Sequence, residues 1–295
     1  MHHNPLEQAY ASSLRLARRH YENFPVASWI LPRRLRRPIA IIYAFARTAD
    51  DFADEDAHTP PQRVAMLENY ALELRAAEAG DSRIAPLFAA LGVVVAQFNI
   101  PWRYFHDLIS AFTQDVTTQR YATRADVLDY CRRSANPVGR ILLHIFGRTN
   151  ELDLRQSDAI CTSLQLINFL QDIRQDYTEH ARIYLPLAQM RAAGVEENHI
   201  EKSVSDAAMR HLLLEEITYA RDLMLVGAPL AGRLPGRIGL ELRLIVAGGL
   251  AILDALERQQ GDYFSRPRLR IGEIVKMLYT ATWGWRRLDK RPVYG

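Results

Sequence analysis

Residues 41–54 read IIYAFARTADDFAD and residues 164–177 read LQLINFLQDIRQDY, and these two stretches decide the fold class. Apolar residues recur in both at the spacing of an α-helix, and the chain shows no alternating strand pattern bounded by hairpin turns. In each stretch two aspartates stand four residues apart, which places their carboxylates on one face of a helix. The sequence therefore predicts an all-α protein with acidic groups set among apolar side chains.

Helical spacing continues along most of the chain. Asn136-Pro137 is expected to break it, and 194–198 is expected to form a surface loop. Because no Gly/Ser-rich linker or short repeat divides the sequence, we expect one domain spanning 1–295. The predicted helices cover 6–20, 38–53, 60–79, 83–97, 102–113, 124–133, 138–146, 154–177, 206–227, 237–259 and 271–282.

Composition narrows the class of protein. The 295 residues are 48% hydrophobic, enough for a substantial core, and the formal net charge is +3. Two cysteines indicate neither a disulfide framework nor a zinc site, so a reduced, cytoplasmic setting is expected. Residues 1–10 lack the apolar core of a signal peptide, and the longest apolar stretch, 244–253, is too short to span a bilayer. No dinucleotide-binding, Walker A or nucleic-acid reader motif is recognised, so nucleic acid is not an expected partner.

The second stretch places four polar side chains on one helical stripe. Gln165, Asn168, Asp172 and Asp176 follow one another at spacings of three, four and four, a length of roughly 16 Å at the helical rise. Polar groups in an apolar wall are costly unless they have partners, and a metal ion or a phosphate would supply them. The alternative is the solvent-exposed face of an ordinary amphipathic helix.

The first stretch has the same logic. Tyr43, Arg47, Asp50, Asp51 and Asp54 follow a run of isoleucine and alanine. Arg47 is placed to pair with Asp50 or Asp51, or to hold a phosphate. The alternative is a helix end that runs into solvent. Carboxylates this close repel each other unless a cation lies between them, so two such clusters favour a shared site for Mg²⁺ and a diphosphate.

These stretches resemble the two aspartate-rich motifs of the squalene/phytoene synthase family, the head-to-head prenyl synthases. ARIYLP at 181–186 and HYENFPVAS at 20–28 are also similar to that family, and the resemblance covers about 20–270. It implies a single-domain helical bundle of the class I isoprenoid (terpenoid) synthase type with a central active-site cavity. In terpene cyclases the second motif also contains a Ser and a Glu. Because both are missing here, the second motif is unlike that of a terpene cyclase.

The resemblance also implies roles for individual residues. The expected Mg²⁺ ligands are Asp50, Asp54, Asn168, Asp172 and Asp176. The expected substrate or diphosphate contacts are His20, Asn23, Arg47, Asp51, Gln165, Gln171 and Arg266. The expected catalytic residues are Arg47 and Tyr43 from the resemblance, and Arg132 and Asn136, which depart from the family pattern. With Arg133, the latter two are the candidates for a polar group near the carbocation. The alternative for His20 is an ordinary position at a helix end, without a role in binding. The alternative for Arg132 and Arg133 is ion pairing with acidic neighbours.

Departures from the family pattern favour one reaction. YCRRSANPVG at 130–139 places Arg132 where an aromatic hydroxyl is usual, Gln171 replaces a common arginine, and a tyrosine is missing near Gly249. With HYENFPVAS, this is most similar to the branch of bacterial hopanoid pathways that forms hydroxysqualene. There presqualene diphosphate ionises, its cyclopropane opens and water captures the cation. The alternative within the family is condensation of two prenyl diphosphates to presqualene or prephytoene diphosphate, or onward to squalene or phytoene. The alternative of another class is a non-catalytic helical membrane adaptor.

The C-terminal part is basic and aromatic, with Trp283 and Trp285 among its arginines. It is expected to touch an anionic membrane surface at the inner face of the cytoplasmic membrane, where a lipid substrate and product would partition. A solvated tail is the alternative. Enzymes of squalene and hopanoid synthesis are the expected protein partners. The arginines in question are Arg266, Arg268, Arg270, Arg286 and Arg287.

Overall fold

The computed structural model describes residues 33–54, 57–259, 261–267, 269 and 271–285. Within these ranges the chain is helical, and its only strand-like pairing is an isolated parallel bridge between Arg120 and Ile183. The all-α prediction is therefore confirmed, while the predicted helix over 6–20 lies outside the described residues. The helices are α1 (Arg33–Asp54), α2 (Pro60–Glu78), α3 (Pro86–Phe98), α4 (Arg103–Thr117), α5 (Arg124–Ser134), α6 (Asn136–Ile145), α7 (Glu151–Gln171), α8 (Ile173–His180), α9 (Leu187–Ala193), α10 (Glu197–Glu201), α11 (Ala207–Gly227), α12 (Pro229–Arg233), α13 (Gly236–Glu257) and α14 (Ile271–Tyr279).

The predicted helix over 154–177 is wrong in one respect, because it is two helices. Asp172 ends α7 and precedes α8 with φ −113° and ψ 17°, outside the helical range. The backbone bonds on either side survive: Asp172 N–H donates to the Asn168 carbonyl at 3.0 Å, and Asp176 N–H donates to the Asp172 carbonyl at 2.8 Å. A short polar side chain tolerates such a conformation better than its apolar neighbours would. The break therefore falls on a predicted metal ligand.

Two further differences concern helix ends. The surface loop predicted for 194–198 is wrong in its second half, where α10 begins at Glu197 behind a capping interaction of Glu196 with His199. The helix predicted to end at 282 changes to a π-helical turn over Thr280–Gly284. The break at Asn136-Pro137 is confirmed, since α5 ends at Ser134 and α6 begins at Asn136.

The described chain divides into two compact units. The first comprises residues up to Thr117 together with Pro137–Thr149, and the second comprises Thr118–Asn136 with Asn150 onward. The single domain over 1–295 stays a prediction. Among the described residues, no helix is both long and apolar enough to cross a membrane.

An aromatic cluster holds α1 in the first unit. Phe45 is fully buried, and its ring centroid lies 5.2 Å from Tyr70, 5.3 Å from Phe105 and 6.1 Å from Phe88. The Tyr70 hydroxyl donates to the Phe45 carbonyl at 3.1 Å. Aromatic pairs of this geometry contribute about 0.5–1.5 kcal/mol each beyond the area they bury. They fix the helix that ends in the first aspartate motif.

The second unit is organised around α7, the helix of the second motif. It packs along α11, where a Cβ on Gly227 would lie 2.5 Å from Ile160 Cγ1 and 2.6 Å from the Gln156 carbonyl oxygen. The Ser163 hydroxyl donates to the Ala220 carbonyl at 2.6 Å across the same contact. Only glycine allows the two helices to approach this closely.

Candidate active site

The first aspartate motif occupies the last two turns of α1. Arg47 Nη1 lies 3.0 Å from Asp50 Oδ2, and Arg47 Nη2 lies 2.6 Å from Asp51 Oδ1. All three side chains are partly exposed, whereas Asp54 at the helix end is exposed. One guanidinium therefore meets two neighbouring carboxylates, at the i,i+3 and i,i+4 spacings expected on a helix.

Tyr43 lies one turn before Arg47. Burial raises the pKa of its phenol, Arg47 lowers it, and Asp50 and Asp51 raise it again. Because the net shift is upward, the hydroxyl stays protonated at neutral pH and can donate a hydrogen bond. The geometry thus offers a donor and a cation on the same helix face as the carboxylates.

Arg63 supports the end of α1 and was not predicted from the sequence. Its Nη1 donates to the Ala53 carbonyl at 2.6 Å, and Ala53 precedes Asp54. A cation at the last carbonyls of a helix also interacts favourably with the negative end of the helix dipole. No local motif marks Arg63, since the contact joins the end of α1 to the first turn of α2.

In the second motif, Asp172 is paired with a residue far along the chain. Arg266 Nε lies 3.2 Å from Asp172 Oδ1, and the side chain of Asp172 is 21% exposed. Burial raises the pKa of Asp172, Arg266 lowers it, and Glu179 raises it. The carboxylate therefore stands in surroundings that disfavour its charge, which its guanidinium partner offsets only in part.

The other polar residues of the motif surround Asp172. Asn168 is exposed, while Gln165, Gln171 and Asp176 are partly buried. Backbone bonds tie Asn168, Asp172 and Asp176 into one continuous ridge despite the break at Asp172. The polar ridge thus comprises Gln165, Asn168, Asp172 and Asp176, the four residues that the helical spacing predicted on one stripe.

Four aromatic rings pack behind this ridge and were not predicted as a group. Phe169 stacks on Tyr184 with centroids 3.8 Å apart and planes 6° apart. Tyr184 also lies 5.5 Å from Tyr121 and 5.8 Å from Tyr130. Phe169 is adjacent to Asn168, so the stack fixes the part of α7 that carries the polar ridge. The sequence signals were the tyrosine of ARIYLP and the first residue of YCRRSANPVG, Tyr130.

The comparisons with known proteins decide the family. The family model described as "Squalene/phytoene synthase" matches residues 17–274.

The chain belongs to the squalene/phytoene synthase family.

Two curated relatives are both named hydroxysqualene synthase. That of Rhodopseudomonas palustris is 37% identical over 239 residues, 80% of each chain. That of Sinorhizobium fredii is 33% identical over 259 residues, 88% of this chain and 86% of the relative. The crystal structure of squalene synthase HpnC from Alicyclobacillus acidocaldarius is 40% identical with a TM-score of 0.80, covering 86% of this chain and 95% of the other. The helical fold of isoprenoid synthases is thereby confirmed.

Within this family, the departures at Arg132 and Asn136 have a structural setting. Arg132 is 55% exposed and its Nη2 lies 2.7 Å from Asp129 Oδ1, while Arg133 Nη2 lies 2.9 Å from Asp129 Oδ2. The alternative that these arginines pair with an acidic neighbour is confirmed. Burial alone would raise the pKa of Asp129, but the hydrogen bonds from both arginines outweigh it and lower that pKa. Asn136 is buried, and its Oδ1 accepts a hydrogen bond from the Thr162 hydroxyl at 2.9 Å.

The missing tyrosine near Gly249 also has a physical reason. A Cβ at this position would lie 2.7 Å from Met224 Cε and 3.3 Å from Ile167 Cδ1. Met224 is fully buried, so its methyl group already fills the space that a larger side chain would need. His20, Asn23, Arg268, Arg270, Arg286 and Arg287 lie outside the described residues.

The side chains of both motifs fit Mg²⁺ chemically. Among the described residues, no group of three or more His, Cys, Asp or Glu is placed to hold a metal ion. Carboxylate and amide oxygens are nevertheless the donors that Mg²⁺ prefers, and it commonly binds through one or two carboxylates, with waters and substrate phosphates completing its shell. In each motif a guanidinium stands beside the carboxylates, Arg47 at Asp50 and Arg266 at Asp172. Asp50 and Asp172 therefore each already have a positively charged partner in the structure.

Proposed function

We propose that the protein is a Mg²⁺-dependent hydroxysqualene synthase that converts presqualene diphosphate and water to hydroxysqualene and diphosphate. The observation that carries this proposal is the similarity to hydroxysqualene synthases over four-fifths of the chain. The retained aspartates of both motifs and the YCRRSANPVG segment support it.

The proposed Mg²⁺ ligands are Asp50, Asp54, Asn168, Asp172 and Asp176. Bound magnesium neutralises the diphosphate and makes it a better leaving group. The C–O bond to diphosphate breaks and its electron pair leaves with the diphosphate. The cyclopropane ring then opens, the oxygen of water bonds to the allylic cation, and the water gives up one proton.

Arg47 is proposed to exchange its carboxylate partners for the substrate diphosphate. In the structure its guanidinium holds Asp50 and Asp51. If Asp50 held a metal ion, its attraction for Arg47 would weaken, and the planar guanidinium could bind diphosphate oxygens. Tyr43, whose raised pKa keeps its hydroxyl protonated, donates to the same group.

Arg266 makes the matching exchange at the second motif. If Asp172 held Mg²⁺, its attraction for Arg266 would weaken, and Arg266 would bind the diphosphate alongside Gln165 and Gln171. The remaining proposed diphosphate contacts are His20, Asn23 and Asp51. In this way each arginine keeps its aspartate neutralised before substrate binds and neutralises the phosphate afterwards.

Water capture is assigned to the segment around Asn136. Asn136 is buried and its Oδ1 accepts from the Thr162 hydroxyl, so its two amide hydrogens are held in one orientation. We propose Asn136 as the group that positions the water. Arg132 is the second candidate, and its pairing with Asp129 predicts a weaker effect on turnover.

The family alternatives are head-to-head condensation of farnesyl or geranylgeranyl diphosphate to presqualene or prephytoene diphosphate, and formation of squalene or phytoene. The structural relative titled squalene synthase is the observation that keeps them open. A non-catalytic helical membrane adaptor is the alternative of another class, and the retention of Asp50, Asp54, Asp172 and Asp176 argues against it.

We also propose a cytoplasmic location with contact to the inner face of the cytoplasmic membrane, because both the substrate and the product partition into lipid. The expected partner enzymes are those that supply presqualene diphosphate and those that consume hydroxysqualene.

The test is product analysis. The protein is incubated with presqualene diphosphate and Mg²⁺, without NADPH, in water enriched in ¹⁸O, and the lipids are analysed by mass spectrometry. Hydroxysqualene carrying ¹⁸O is expected. Presqualene diphosphate formed from farnesyl diphosphate, with no hydroxysqualene from presqualene diphosphate, would establish the condensation alternative instead.

A pair of variants links the product to the site. Asp172→Asn should abolish turnover, whereas Glu151→Gln should retain it. Glu151 lies on the same helix, is 80% exposed and pairs only locally with Arg155 at 3.0 Å. Equal loss in both variants would point to damage to α7 rather than to a role for Asp172.

A further inference from the structure

Helix α14 presents an apolar face to solvent. Its buried side is held by its neighbours: Met277 Sδ lies 3.6 Å from the position of a Cβ on Gly248 of α13, and Ala281 and Trp285 just beyond α14 are buried. The other side shows five large apolar residues at helical spacing. Their exposed fractions are 83% for Ile271, 39% for Ile274, 59% for Val275, 47% for Leu278 and 55% for Tyr279.

This face differs from the rest of the described surface. Large exposed apolar residues elsewhere in the described ranges occur singly, on five different helices and one loop. They are Leu72, Val93, Leu152, Val204, Val226 and Ile245. Single exposed apolar residues are normal in any protein, whereas a continuous stripe marks a surface that something covers.

The charge around α14 indicates what covers it. Residues 266–291 contain eight arginines and lysines and only two acidic residues, a formal net charge of +6. The whole chain carries +3, so the other residues together carry −3. Within the described part, Arg266 and Lys276 have side chains 64% and 73% exposed. The apolar stripe thus belongs to a strongly basic stretch of the sequence.

We propose that α14 is an interfacial helix that docks on an anionic lipid bilayer. Its apolar face enters the boundary between headgroups and acyl chains, and the exposed Lys276 on the same helix binds lipid phosphate. This rests on the proposed membrane contact and names the element and the lipid charge that it needs. A second copy of the chain fits less well, because pairing this face with itself would bring two segments of charge +6 together.

The experiment is vesicle co-sedimentation of the full chain without substrate. Neutral phosphatidylcholine vesicles are compared with vesicles containing phosphatidylglycerol. The double variant Ile271→Glu/Val275→Glu is compared with Leu72→Glu/Val93→Glu, which places the same charges on exposed apolar positions of α2 and α3. Thermal unfolding verifies that all variants are folded.

We expect the wild type and the α2/α3 variant to bind anionic vesicles, with binding weakened by salt and by removal of the anionic lipid. The α14 variant should bind at least about tenfold more weakly. Equal binding by both variants, or no preference for anionic vesicles, would overturn the proposal. So would a dimer in sedimentation velocity that the α14 variant alone abolishes, since that would make a second copy the occupant. Because no turnover is measured, an inactive chain that still binds vesicles would refute the proposed reaction and leave this inference standing.

Discussion

Replacing Gly227 by alanine should destabilise the protein, because α11 contacts α7 at this glycine. The added Cβ would lie 2.5 Å from Ile160 Cγ1 and 2.6 Å from the Gln156 carbonyl oxygen. Ile160 can change rotamer, but the carbonyl belongs to the backbone of α7 and moves only if the helices separate. Overpacking of this kind costs about 1–3 kcal/mol. The better helix propensity of alanine returns about 1 kcal/mol, so we expect a net loss of up to about 2 kcal/mol.

The assay is thermal unfolding followed by circular dichroism, with Gly92→Ala as the matched control. Gly92 lies inside α3, and a Cβ there would meet no atom within 4 Å. That variant should gain up to about 1 kcal/mol from helix propensity alone. Glycine-to-alanine should therefore lower the unfolding midpoint at position 227 and raise it at position 92, by about 2–4 °C per kcal/mol. A rise in midpoint for Gly227→Ala would refute the close packing of α7 on α11.

Three further outcomes follow from the structure. Arg266→Ala removes the group that lowers the pKa of Asp172, so that pKa should rise further and the acid limb of the pH–rate profile should move to higher pH, as measured by kcat/KM from pH 4 to 8. Phe45→Ala should cost about 3–5 kcal/mol in urea unfolding, since it empties the centre of a fully buried cluster; a loss below about 1 kcal/mol would contradict the packing. Cys131 should resist iodoacetamide at pH 8 in the folded protein, because burial raises its pKa to about 12; mass spectrometry that finds Cys131 alkylated as fast as the partly exposed Cys161 would contradict its burial.

Helix boundaries governed by local chemistry were predictable. Thr59, followed by two prolines, indicated the start of α2, and its backbone N–H donates to Gln62 Oε1 at 2.9 Å as a capping residue should. The predicted start of the helix over 206–227 falls on the residue that caps α11: the Asp206 carboxylate accepts from Met209 N–H at 2.8 Å. Such signals act over three or four residues, so a single sequence contains them completely.

Features that depend on distant residues were not predictable. The pairing of Arg266 with Asp172 joins residues 94 positions apart, and the stack of Phe169 on Tyr184 joins two segments that carry no shared pattern. The break at Asp172 was missed for a different reason: apolar periodicity reports which face is buried, and it does not report the φ and ψ of one residue. The sequence therefore predicted which residues form the polar ridge, while the packing that fixes it appeared only in the structure.

Binding of Mg²⁺ with inorganic diphosphate, measured by isothermal titration calorimetry, tests most directly the claim that both aspartate motifs hold magnesium. The wild type is compared with Asp50→Asn and Asp172→Asn, and Glu151→Gln serves as the control on α7. Each asparagine keeps the shape of the side chain and removes one negative charge, so the account predicts that both variants lose affinity by at least roughly tenfold while the control does not. Wild-type affinity in either asparagine variant would contradict the account at that motif.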